Sequence, residues 1–134
     1  MAVLPRLEDE HLSAEAATVF ADIRASRGSD FVNDFWRVLA HDPDLLKATW
    51  ERLKAVMAPR EGGLDPLTKE LVYLAVSTAN GCSYCVHSHT AAARAKGLTE
   101  AQHGEFLAVV AMAATTNALV DGLQVAPDEV FRRG

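Results

Sequence analysis

Cysteine is scarce in this sequence, with Cys82 and Cys85 as its two members. A framework of structural bridges cannot be built from one close pair, so a small secreted scaffold held by disulfides is excluded. Charge of one sign is nowhere concentrated. The net charge of −5 is spread along the chain and gives no electrostatic reason to bind nucleic acid or an anionic membrane. No uninterrupted apolar stretch approaches the ~18 residues of a membrane span. The first residues, Met1 to Glu10, carry Arg6, Glu8, Asp9 and Glu10 and lack the apolar middle of a signal peptide. The expected setting is therefore the cytoplasm, with no membrane contact. Internal repeats and low-complexity tracts are missing. There is no phosphate-binding glycine loop, and Gly62-Gly63 reads as a flexible pair. No cofactor and no metal are expected.

What is present is apolar and helical. Of 134 residues, 49% are hydrophobic, enough for one packed core, and we expect a single all-α domain over residues 1–134. Ser13 can cap a helix running toward Arg24, with Gly28 past its end. A second helix is expected from near Asp30 through Trp36 to about Ala40. Asp42-Pro43 reads as an N-cap followed by the first helical position, where proline has no N–H to lose. Leu45, Leu46, Trp50, Leu53 and Val56 then follow with helical spacing, and Pro59 to Gly63 is a loop. Asp65-Pro66 repeats the start signal ahead of Leu67, Leu71, Leu74 and Ala75. Asn80-Gly81 breaks that helix, and the next runs from Cys82 to Lys96, ending at Gly97. Thr99-Glu100-Ala101-Gln102 matches a capping box. The helix it opens, Glu100 to about Leu123, is apolar round most of its circumference between Phe106 and Ala114. Such a helix is expected to be buried on several sides, in part by another subunit. The tail after Ala126 is expected to be frayed or packed on a neighbour.

The chemistry is concentrated in Cys82-Ser83-Tyr84-Cys85-Val86-His87-Ser88-His89. On a helix advancing about 100° per residue, Cys85 sits near about −60° and His89 near about −20° relative to Cys82. The three share a face, while Tyr84 and His87 point elsewhere. Cys85 and His89 are four apart, the spacing of touching side chains. A thiol at its ordinary pKa supplies little thiolate near neutrality. The helix N-terminus favours negative charge at Cys82, and His89 can accept the proton of Cys85 directly or through water. The second thiol can resolve an oxidised first one as a disulfide. If the helices before and after Asn80-Gly81 fold back on each other, Glu70 comes roughly level with His89 and can orient the imidazole. Other readings stand beside this one. Cys82, Cys85, His87 and His89 give the ligand count of a zinc site, although His87 faces away on a continuous helix. Two inert core thiols would also fit the pair, and Glu70 could simply answer its helix dipole. His11, His41 and His103 read as exposed or capping residues, and Trp36 and Trp50 as core. Tyr73 and Phe106 also read as core, with either able to wall the thiol pocket. Ser77, Thr78, Thr115 and Thr116 carry no motif for nucleophilic catalysis.

At these residues the chain resembles the carboxymuconolactone decarboxylase superfamily, on its alkylhydroperoxidase D-like branch. The shared pattern is a glutamate followed about a dozen residues later by C-x-x-C-x-x-x-H, here Glu70 and then Cys82 to His89. The resemblance covers roughly residues 39–123. It includes Leu39-Ala40-His41-Asp42-Pro43-Asp44-Leu45-Leu46 and the helix start Asp65-Pro66-Leu67-Thr68-Lys69-Glu70-Leu71. It implies an all-α fold of about six helices that assembles into homo-oligomers, commonly trimers or hexamers. It also implies reduction of peroxides or of a partner disulfide, with a thioredoxin-like or lipoyl dithiol as reductant. Carried over by position, Cys85 would become the sulfenic acid and Cys82 would be proton donor and resolving thiol. His89 would be the base, with Glu70 behind it. The dipole argument alone favours Cys82 as the more acidic thiol; the family pattern assigns Cys85, one turn from His89. Some members carry histidine immediately before the second cysteine. This chain has Tyr84 there, which can hydrogen-bond but is no base near neutral pH. A lactone-acid decarboxylase and a non-catalytic, redox-switched oligomeric binding protein are the alternative functions.

Overall fold

The computed structural model describes residues 2–132. Among them are six α-helices and no strand: α1 (Ala14–Arg27), α2 (Asp34–Leu39), α3 (Pro43–Met57), α4 (Pro66–Ala79), α5 (Ser83–Ala95) and α6 (Glu100–Gly122). The all-α expectation holds. The chain divides into two compact units, one ending at Ala58 and one beginning at Pro59.

In the first unit, α1 starts where Ser13 Oγ accepts the Ala16 N–H at 3.1 Å, and it ends at Gly28. Its Ala16, Val19, Phe20 and Ile23, spaced by three and four, form one buried stripe. Val32, Trp36, Ala40, Leu46 and Trp50 complete that core. The two indoles, expected as core, meet edge to face with centroids 5.6 Å apart. Trp50 Nε1 donates to Asp22 Oδ2 at 2.6 Å. The second helix begins at Asp34, later than the sequence pattern suggested. Side chains have taken the carbonyls an earlier start would need: Arg24 Nε donates to Asp30 O at 2.8 Å and Arg37 Nε to Val32 O at 3.1 Å. Asn33 is consequently still extended and serves as N-cap. Asp42 caps α3 through the Leu45 N–H, with Pro43 at the first helical position.

In the second unit, Asp65 caps α4 through the Thr68 N–H, again followed by proline. Helices α4 and α5 form a tight antiparallel hairpin joined at Asn80-Gly81. Glu70, Leu74 and Ser77 of α4 are buried, as are Ala93 of α5 and Leu98 beyond it. The predicted capping box is present on α6: Thr99 Oγ1 accepts the Gln102 N–H and Gln102 Oε1 accepts the Thr99 N–H. The expectation for the rest of α6 needs correcting. None of its residues is buried within the chain, and Leu107, Val109, Met112, Leu119 and Val120 are all exposed. Among the described residues, α6 packs against α4 through a small contact. At 23 residues α6 has the length and mean hydropathy of a membrane span, but its longest apolar run, Phe106 to Ala114, is nine residues before Thr115-Thr116-Asn117 interrupts it. In the tail, Glu129–Arg132 forms a short 3-10 turn.

Candidate active site

The site is built at the turn between α4 and α5. Asn80 is the C-cap of α4 and Gly81 reverses the chain with φ +71°. A side chain there would meet no neighbour, so glycine is favoured at this position by its backbone angle rather than by space. The reversal lets the Cys82 N–H donate to the carbonyl of Ser77 at 3.0 Å, closing the end of α4 in the manner of a Schellman cap. Cys82 is thereby fixed as the N-cap of α5, with its Sγ accepting the Cys85 N–H at 3.3 Å. Cys82 is therefore not itself helical, as the continuous-helix reading assumed. It still reaches its partner: Cys82 and Cys85 are joined as a disulfide with their Cα atoms 5.3 Å apart.

One turn further along α5, His89 lies on the same face as Cys85. The hairpin brings Glu70 of α4 to it, as the spacing anticipated: Glu70 Oε2 is 2.7 Å from His89 Nδ1. The carboxylate side chain is 6% exposed and the imidazole 17%, so the contact is shielded from water. Paired with a carboxylate, Nδ1 is the nitrogen that carries hydrogen and donates, which leaves Nε2 as the basic atom. Tyr73, one turn after Glu70 on the same helix, stacks on the imidazole with ring centroids 3.7 Å apart and planes 23° from parallel. Glu70 and Tyr73 together fix both the tilt and the rotation of His89.

Lys96, which the sequence pattern marked only as a helix end, completes the group. Lys96 Nζ donates to Glu70 Oε1 at 2.8 Å. Its signal was its place seven residues, two turns, after His89 on one face. Burial works against ionisation of Glu70, but the hydrogen bonds from His89 and Lys96 outweigh it and hold the carboxyl below its ordinary range. The remaining candidates lie elsewhere. His87 and Tyr84 are exposed on other parts of α5, and His103 faces Phe106 on α6 with centroids 6.4 Å apart. His41 Nε2 lies 2.8 Å from the carbonyl of Pro5. Among the described residues, no three His, Cys, Asp or Glu side chains gather round a point that could hold a metal. A disulfide-forming pair, an imidazole with its basic nitrogen free, and a shielded carboxylate behind it can together generate a thiolate, oxidise it and resolve it.

The model of the carboxymuconolactone decarboxylase family matches residues 43–128, which includes the whole of this group. Two similar curated proteins are both described as alkyl hydroperoxide reductase AhpD. The one from Solibacter usitatus (strain Ellin6076) is 34% identical over 123 residues, which is 90% of this chain and 66% of that protein. The one from Maricaulis maris (strain MCS10) is 35% identical over 114 residues, 85% and 60% respectively. The chain thus spans about three fifths to two thirds of these relatives. A crystal structure of an alkylhydroperoxidase AhpD core from Rhodospirillum rubrum ATCC 11170 matches 100% of this chain and 99% of its own, at 60% identity and a TM-score of 0.95.

Proposed function

This chain belongs to the carboxymuconolactone decarboxylase family, and from that premise we propose that it is a thiol-dependent peroxidase or disulfide reductase of the alkylhydroperoxidase kind. The observation that carries the reading is the joined pair Cys82–Cys85 one helical turn from an imidazole that Glu70 orients. In the reduced protein, His89 Nε2 takes the proton of Cys85, directly or through a water. The Cys85 thiolate attacks one oxygen of a hydroperoxide. A sulfur–oxygen bond forms, the O–O bond breaks, and the alkoxide leaves as the alcohol after taking a proton from Cys82. Cys82 sulfur then attacks the sulfenic acid, forming the disulfide and releasing water. An external dithiol, of thioredoxin-like or lipoyl type, restores both thiols by exchange and is itself oxidised. Run against a partner's disulfide, the same pair acts as a reductant. A reducing cytoplasm suits this cycle.

The uncovered apolar side chains of α6 support a homo-oligomer, a trimer or hexamer, in which a second copy covers Leu107, Met112 and Leu119. The catalytic test is peroxide consumption with a dithiol reductant, comparing the natural chain with Cys85→Ser and His89→Ala. Turnover is expected to vanish with Cys85→Ser and to fall by about 10²-fold or more with His89→Ala. A reduced, folded protein that consumes no peroxide, reduces no disulfide and forms no Cys82–Cys85 bond on oxidation would sink the redox reading. Carbon dioxide released from a lactone acid would then favour the decarboxylase.

A further inference from the structure

Lys96 has no part in the cycle above, yet its ammonium lies against the most buried carboxylate of the second unit, 2.8 Å from Glu70 Oε1. A lysine at the C-terminal end of a helix, as Lys96 is at the C-cap of α5, ordinarily serves that helix's own carbonyls and dipole. This one is held where it can do something else. The end of α5 is closed by Gly97 at φ +99° and by the Leu98 N–H, which donates to Ala93 O at 3.0 Å, with Leu98 itself buried. The Lys96 backbone is thus anchored. Because Cα–Cβ bonds tilt toward a helix N-terminus, its side chain runs back along α5 toward His89, two turns or about 10 Å away. Glu70 reaches in from α4 between them, with Oε2 on His89 and Oε1 on Lys96.

We propose that Lys96 is a positioning residue of the Glu70–His89 relay: it holds Oε1 so that Oε2 faces the imidazole, and its charge favours the deprotonated form of the pair. The inference rests on the relay proposed above. Glu70 and His89 between them hold either one titrating proton or none. With it the pair is neutral overall, whichever residue carries it; without it the pair carries one negative charge. A cation against Glu70 stabilises the second state relative to the first, and this sign is the same for either placement of the proton. The charges that act on Glu70 are those of His89 on α5 and of Lys96 at that helix's C-cap. On α6, which also packs against α4, Glu100, His103 and Glu105 make no hydrogen bond or ion pair with Glu70 among the described residues. From α4 itself, Tyr73 meets His89 through its ring face.

The test is nitrogen NMR of the His89 ring across its titration, in the reduced full chain and in Lys96→Met and Lys96→Arg. The midpoint is expected to rise in Lys96→Met by about half a pH unit or more and to return toward the natural value in Lys96→Arg. An unchanged midpoint in Lys96→Met overturns the proposal, as does an equal displacement in Lys96→Arg, which would mark a response to shape rather than charge. Thermal melting accompanies each variant, and Lys96→Gln replaces Lys96→Met if the latter does not fold. Peroxide consumption is followed on the same samples. A natural chain without turnover counts against the peroxidase reading, while the NMR titration still judges Lys96.

Discussion

Replacing Glu70 by glutamine keeps the side chain's shape and removes its charge. The buried carboxylate accepts two charge-assisted hydrogen bonds, from His89 at 2.7 Å and Lys96 at 2.8 Å. Breaking a fully buried pair costs about 3–5 kcal/mol, but the Lys96 side chain is 39% exposed and can turn to water. The expected loss of stability near neutral pH is therefore smaller, about 1–3 kcal/mol. The pH dependence follows from the direction of the shift. The folded-state pKa of Glu70 is depressed, so its contribution is complete above the unfolded value of about 4.3 and is lost as pH falls through the lower folded value. Urea unfolding of the natural chain and Glu70→Gln, at neutral pH and at a series of acidic values, should show a gap that closes in acid as the natural carboxyl becomes neutral like the amide. The rate of thiol alkylation at Cys85 should fall about tenfold or more in the variant, since the imidazole loses the group that orients it. A gap absent at neutral pH, or one that persists unchanged below the folded pKa, would refute the assignment of Glu70 as a charged partner.

The turn before the cysteines gives a second prediction. Gly81→Ala forces a side chain into φ +71° and should cost about 1 kcal/mol of stability, read by denaturant unfolding, with slower disulfide formation because Cys82 is anchored through that turn. The oligomer gives a third. Met112→Asp on the exposed face of α6 should lower the mass measured by light scattering after gel filtration, and an unchanged mass would place the contact elsewhere.

Much of this molecule is local and can be read along the chain. Asp42-Pro43 and Asp65-Pro66 start helices because a carboxylate satisfies a free N–H just where proline needs none. Thr99 and Gln102 satisfy one another's N–H groups. Cys82, Cys85 and His89 are brought together by helical spacing and one N-cap, interactions that span at most seven residues. Glu70 could be placed opposite His89 because two helices joined by one glycine turn have little choice but to run antiparallel, which makes their register a matter of counting.

What tertiary structure alone decided involves contacts between separate elements. The delayed start of α2 depends on Arg24 and Arg37 taking carbonyls that belong to the intervening segment, a competition that propensity along the chain does not register. The bond from Lys96 to Glu70 joins positions 26 apart, and the stacking of Tyr73 depends on which way α4 is rotated. The apolar pattern of α6 showed that its surface disfavours water, but not what covers it. The sequence therefore determined the helices and the reactive trio through short-range geometry. The hairpin's packing decided which charges meet around the imidazole, and so how its proton is held.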